Sequence, residues 1–81
     1  MTADELLVKA FSSALDIPPK EINDSLNYND NKDWDSTAHM ILVAQLEADF
    51  DVMFEVDDII DMNSFSKAKE ILQKYNDKLL F

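Results

Sequence analysis

The chain contains no cysteine, no glycine and no arginine. Without cysteine there is no disulfide framework and no thiolate metal site, and any thiol chemistry needs a thiol supplied from outside. Without glycine every helix must end on some other residue. An EF-hand calcium loop, which turns on a glycine, is excluded. Seven lysines stand against seventeen acids, for a net charge of −10. That balance disfavours nucleic acid as a ligand, because binding it relies on basic side chains neutralising phosphates. No apolar run is long enough for a bilayer, and the N-terminus is neither basic nor continuously apolar. Neither a membrane span nor a signal peptide is expected, and the expected setting is the cytoplasm.

What is present fits a single domain over residues 1–81, with one modest core. The charge is unevenly spread. Twelve of the acids lie between residues 21 and 61, opposed there only by Lys32, while the rest of the chain is close to balance. Such a field favours a partner with a basic patch and mainly speeds encounter.

Thr2-Ala3-Asp4-Glu5 has the pattern of a capping box. Leu6, Leu7, Ala10, Phe11, Ala14 and Leu15 follow at helical spacing. Pro18-Pro19, the only prolines, end that helix. Residues 18–35 are too long and polar for a simple turn. Ile17, Ile22, Leu26, Tyr28 and Trp34 are expected to pin this loop across the helices, with one helical turn near Lys20-Glu21-Ile22.

A second helix is expected from about Ser36 to about Asp49, with His39, Leu42, Val43, Leu46 and Phe50 on its core face. Thr37, Ile41, Ala44 and Ala48 make a weaker apolar strip on the far side, beginning beside Ser36. Asp51 and Asn63 are the expected left-handed or capping residues. Val52, Phe54 and Val56 read as an extended linker with its apolar side chains inward. A short helix is expected over 57–62, with Ile59, Ile60 and Met62 partly buried. Ser64 should cap a last helix carrying Phe65, Ala68, Ile71, Leu72, Tyr75 and Leu79. The expected fold is all-α: a small four-helix bundle, three main helices plus one short helix, with a long first loop.

Ser36 is the candidate functional residue. The loop delivers it to a helix start, where unpaired backbone N–H groups and the helix dipole favour a negative group. A phosphate ester there would be held as helix N-termini hold anions. The bland reading of Asp35-Ser36 is a helix cap. Ser36, His39 and the nearby acids also invite a Ser-His-Asp reading. That is rejected, because such a site needs an oxyanion hole, a substrate pocket and an aligned base. Asp57, Asp58 and Asp61 form an unspecific acidic cluster, and no metal is expected.

The chain resembles an acyl carrier protein of free-standing type over nearly its whole length. Asp16-Ile17-Pro18-Pro19-Lys20-Glu21-Ile22 is similar to the family's segment after its first helix, and Asp35-Ser36 matches the start of its Asp-Ser-Leu motif. Leu42, Val43, Leu46, Glu47, Phe50, Asp51, Val52 and Phe54 follow its second-helix register, and Ser64-Phe65 lies where the family caps its last helix. The resemblance implies a carrier that is not an enzyme. It implies 4′-phosphopantetheine from coenzyme A on Ser36, supported by Asp35, with an acyl cargo held as a thioester. It further implies a phosphopantetheinyl transferase and acyl-loading and acyl-using enzymes as partners, contacting Thr37, Ile41, Glu47 and Glu55. A monomer is expected. Val43, Leu46, Phe54, Ile59 and Met62 are the expected acyl pocket, whose bulky Phe54 and Met62 leave limited room for long chains. Thr37 stands in place of the motif's leucine, Asp33 in place of a glycine before it, and Ile41 in place of an acid. Trp34-Asp35-Ser36 with His39 looks more like carriers of specialised metabolite biosynthesis than the fatty acid carrier. The alternatives are an aminoacyl or peptidyl carrier, and an unmodified acidic adaptor for a basic partner. In an adaptor, Ser36→Ala should cost only a cap, about 1 kcal/mol.

Overall fold

The structure, a computed structural model, describes residues 2–81. The described residues form α1 (Ala3–Leu15), α2 (Ser36–Phe50), α3 (Val56–Asp61) and α4 (Phe65–Tyr75), with no strand among them. This is the expected all-α bundle, three main helices and one short one after a long first loop. That loop contains two single 3-10 turns, Pro19–Glu21 and Tyr28–Asp30. No helix among the described residues is long and apolar enough to cross a membrane.

The helix ends show how a glycine-free chain stops its helices. At the start of α1 the Thr2 hydroxyl accepts from the Glu5 N–H at 3.1 Å, and the Glu5 carboxylate accepts from the Thr2 N–H at 3.4 Å. Asp35 and Ser64 cap α2 and α4 through their side-chain oxygens. α1 and α2 end on left-handed aspartates, Asp16 at φ 56° and Asp51 at φ 54°. Asp is among the few non-glycine residues that visit this region readily. Asp51 was expected there, but Asn63 was not needed. Instead Met62, at φ −77° and ψ 76°, centres an inverse γ-turn in which the Asn63 N–H donates to the Asp61 carbonyl at 2.8 Å.

One core runs through the molecule. Phe11 of α1 meets Trp34 and Phe65 edge-on, with ring centroids 5.5 and 5.1 Å away. Leu7 and Leu15 of α1, Leu42, Val43 and Leu46 of α2, and Ile71 and Leu72 of α4 close around them. The loop is pinned as expected. Ile17, Ile22, Leu26 and Trp34 are buried, and Tyr28 is half-buried. The Tyr28 N–H donates to Asn63 and the Phe65 N–H to Leu26, so the loop is stitched to the α3–α4 junction.

Two expectations about the second half fail. Val56 and Ile60 are 69% and 70% exposed, so only Phe54 of the linker is buried, while Val52 and Ile59 are half-buried. A six-residue helix turns too few times for spacing to fix its inward face. Phe50 and His39 are half-buried on the core face of α2, as expected, Phe50 packed on the core and His39 on Trp34. Leu79 lies beyond the end of α4, although it still packs on the core.

α3 is fastened to α4 by a polar clasp. Asp58, 8% exposed, accepts hydrogen bonds from the Lys74 ammonium and the Tyr75 hydroxyl, and the Tyr75 oxygen accepts from the Glu55 N–H at 2.8 Å. Lys74 first and Tyr75 second hold the Asp58 carboxyl below its ordinary value, against burial. Asp58 in turn raises Lys74 and Tyr75. The lowered carboxyl contributes stability that is fully present above its ordinary value of 3.8 and is lost as pH falls through the folded value. The raised lysine and tyrosine contribute stability that is fully present below their ordinary values and is lost as pH rises through the folded ones. The clasp is therefore whole from about pH 4 to about pH 10. In thermal melts across the acid range, wild type should lose melting temperature below about pH 4 more steeply than Asp58→Asn. Parallel curves would remove Asp58 from the account of acid stability.

Candidate functional site

The loop ends on Trp34, which is buried to 1% exposure, and two residues later Ser36 emerges as the first residue of α2. Burying the indole fixes where the loop stops, and so where the helix begins. Asp35, not Ser36, is the cap: its carboxylate accepts from the Ala38 N–H at 2.8 Å. The first intrahelical bond runs from the His39 N–H to the Asp35 carbonyl. The Ser36 hydroxyl is left exposed at the helix start, with no hydrogen-bond partner among the described residues. The Ser36 and Thr37 N–H groups precede the first helical bond and have no acceptor within the helix.

The electrostatics pull both ways. The helix start favours an anion, while the exposed carboxylates of Asp33 and Asp35 oppose one. A phosphate held by a covalent ester tolerates that repulsion, whereas a free phosphate would be turned away.

Beside Ser36 lies a cavity of about 320 Å³ between the start of α2 and α3. Ser36, His39 and Met40 line it from α2, one face at positions i, i+3 and i+4. Ile59 and Ile60 of α3 face them, and Met62, Asn63 and Tyr28 complete the wall. On the outer side of α2, Thr37, Met40, Ile41 and Ala44 form a shallow apolar trough that also begins at Ser36. Met40 and Ile41 are 57% and 52% exposed there.

His39 is fully occupied. Its Nδ1 accepts from the Trp34 indole N–H at 3.0 Å, and its Nε2 lies 2.7 Å from the Ile59 carbonyl. Indole nitrogen only donates, so Nδ1 must be the unprotonated nitrogen and Nε2–H must donate to Ile59. No ring nitrogen remains to activate Ser36, which disposes of the Ser-His-Asp reading on geometry.

The structure brings some of the sequence candidates together and separates others. Asp35 caps the helix that carries Ser36, and Thr37 and Ile41 sit with Ser36 along the trough. Glu47 is engaged internally instead: its carboxylate accepts from the Phe54 N–H at 2.9 Å and holds the turn after α2. Glu55 is exposed at the start of α3. Of the expected acyl pocket, Ile59 and Met62 line the cavity, whereas Val43, Leu46 and Phe54 are packed into the core away from it. The spacing of His39 and Met40 from Ser36 carries enough signal to place them at the cavity. Tyr28 and Asn63 arrive only through the bridge between the loop and the α3–α4 junction.

A family model described as a phosphopantetheine attachment site matches residues 5–72, from the first turn of α1 to the buried end of α4. No curated protein and no solved structure matches the chain.

Proposed function

The chain belongs to the phosphopantetheine attachment site family, and on that premise we propose that Ser36 carries the phosphopantetheine and that its cargo is an acyl group. Members of the family carry 4′-phosphopantetheine covalently, act as carriers rather than catalysts, and work with a phosphopantetheinyl transferase and pathway enzymes. The group supplies the thiol that a cysteine-free chain lacks.

The observation that carries the assignment is the free Ser36 hydroxyl. It is exposed and unbonded, and its neighbour does the capping. The cavity supports an acyl cargo over an aminoacyl one. Its walls include Met40, Ile59, Ile60 and Met62, and no carboxylate lines it to receive an ammonium group. Thr37, Ile41 and Glu55 are presented for partner enzymes, and the acidic field favours basic patches on them. A net charge of −10 supports a monomer, and the single core cluster supports one domain over residues 1–81.

Trypsin cuts after Lys32 and Lys67, releasing a peptide of residues 33–67 that holds Ser36, Thr37, Ser64 and Ser66. After incubation with coenzyme A and a broad-specificity phosphopantetheinyl transferase, the whole mass gain should fall on this peptide. Fragmentation should place it on Ser36. A gain on Thr37, Ser64 or Ser66, or no gain on unmodified starting protein, sinks the assignment.

A further inference from the structure

His39 forms part of the wall of the cavity beside Ser36, and both of its ring nitrogens are engaged. Its ring completes a triangle with the Trp34 indole, 6.0 Å away by centroid and tilted 32°, and the Tyr28 phenol at 6.1 Å and 81°, those two rings being 5.9 Å apart. Its two nitrogens join the Trp34 N–H at the end of the loop to the Ile59 carbonyl of α3. One imidazole on α2 thus bolts the loop and α3 together. Behind it stand Trp34 and Phe11, the centre of the core.

We infer that His39 sets how far a cargo chain can reach from Ser36, confining it to the cavity between α2 and α3 and closing the route into the core. This rests on the carrier reading of Ser36. A chain passing inward would have to displace the ring and leave the buried indole N–H and the Ile59 carbonyl without partners. Each is an unfavourable loss in an apolar surrounding. An apolar cavity of about 150 Å³ holds one benzene, so the space in front of His39 takes at most roughly twice that number of carbons. The cargo class this fits is the short to medium acyl chains. Val43, Leu46 and Phe54 lie in the core and would be reached only once the ring is gone.

The test loads wild type, His39→Ala and His39→Gln with straight-chain acyl groups from acetyl to palmitoyl, transferred from the corresponding acyl-coenzyme A. Intact mass confirms loading. The readout is the melting temperature of each acyl form minus that of the same variant carrying the bare arm, so any stability lost in the variant itself cancels. In wild type the shift should grow with chain length and level off at or before about twelve carbons. His39→Ala should move that plateau roughly two to four carbons longer, the room vacated by the ring. His39→Gln offers one donor and one acceptor in similar bulk and should keep the wild-type plateau. An unchanged plateau in His39→Ala, or a wild-type shift still growing at palmitoyl, overturns the inference. If His39→Ala does not fold, His39→Asn, a smaller side chain that keeps one donor and one acceptor, takes its place and is read by the same criteria. Protein that takes no arm at all overturns the carrier reading together with this one, whereas loaded protein with an unmoved plateau overturns this one alone.

Discussion

Ser36→Ala should abolish loading with phosphopantetheine completely while leaving stability within about 0.5 kcal/mol of wild type. The loss of loading is all-or-none because the substitution removes the proposed acceptor oxygen. The small stability change follows from where Ser36 sits. It is the first helical residue, exposed, and its hydroxyl bonds to nothing among the described residues. Alanine is the better helix former at such a position. The capping cost that the sequence suggested for Ser36 belongs to Asp35, whose carboxylate takes the Ala38 N–H. Asp35→Ala should therefore be the less stable of the two variants, by about 1 kcal/mol. Intact-mass loading and thermal melts on both variants check this. Ser36→Ala that still takes the arm sends the attachment elsewhere. Ser36→Ala that loses the arm but keeps a pathway partner's productive use of the protein would favour the adaptor reading.

The same residues show where sequence reasoning reaches and where it stops. The long helices were legible because thirteen or fifteen residues give several turns over which one apolar face repeats. The pegs of the first loop were legible because isolated large apolar residues in an acidic, Asn-rich stretch have nowhere to go but inward. The place of Ser36, where that loop meets a helix, was legible too. Asp16 was missed as a left-handed cap because Pro18-Pro19 already accounted for the end of α1. Asn63 was expected to turn and did not, since the inverse γ-turn at Met62 reverses the chain without a positive φ. That Ile59 and Met62 line the cavity while Val43, Leu46 and Phe54 do not has a tertiary reason. Which side chains line the space beside Ser36 depends on how α3 docks. That is decided by the Asp58 clasp to α4, the His39 bond to Ile59 and the Tyr28 bond to Asn63. Each joins residues far apart in the chain, and none leaves a periodic trace. Glu47 reads as a surface acid by spacing, yet its carboxylate holds the Phe54 N–H.

Trp34→Ala should come close to unfolding the protein, at a cost of about 3–5 kcal/mol. A domain of this length has a total stability of roughly 4–12 kcal/mol at the usual range per residue, so the variant stands at the edge of folding. The size of the effect has three sources. The indole is almost fully buried, and its removal leaves a void beside Phe11 at the centre of the core. It also contacts Tyr28 and His39, so two more rings lose a neighbour. Finally, its N–H satisfies His39 Nδ1, whose other nitrogen holds α3. Trp34→Phe separates these sources. It restores most of the apolar bulk but leaves Nδ1 without its donor, and should cost about 1–3 kcal/mol. Urea denaturation measures both, and a shifted midpoint at unchanged slope would attribute the loss to the native state. Because Trp34 precedes Ser36 by two residues and fixes the end of the loop, the folded fraction of Trp34→Ala should also load more slowly than Trp34→Phe. A Trp34→Ala protein within 1.5 kcal/mol of wild type, a small cost for any large core aromatic, would mean that the loop is held by Ile17, Ile22 and Leu26 without it. The register of Ser36 would then be set by the helix cap alone.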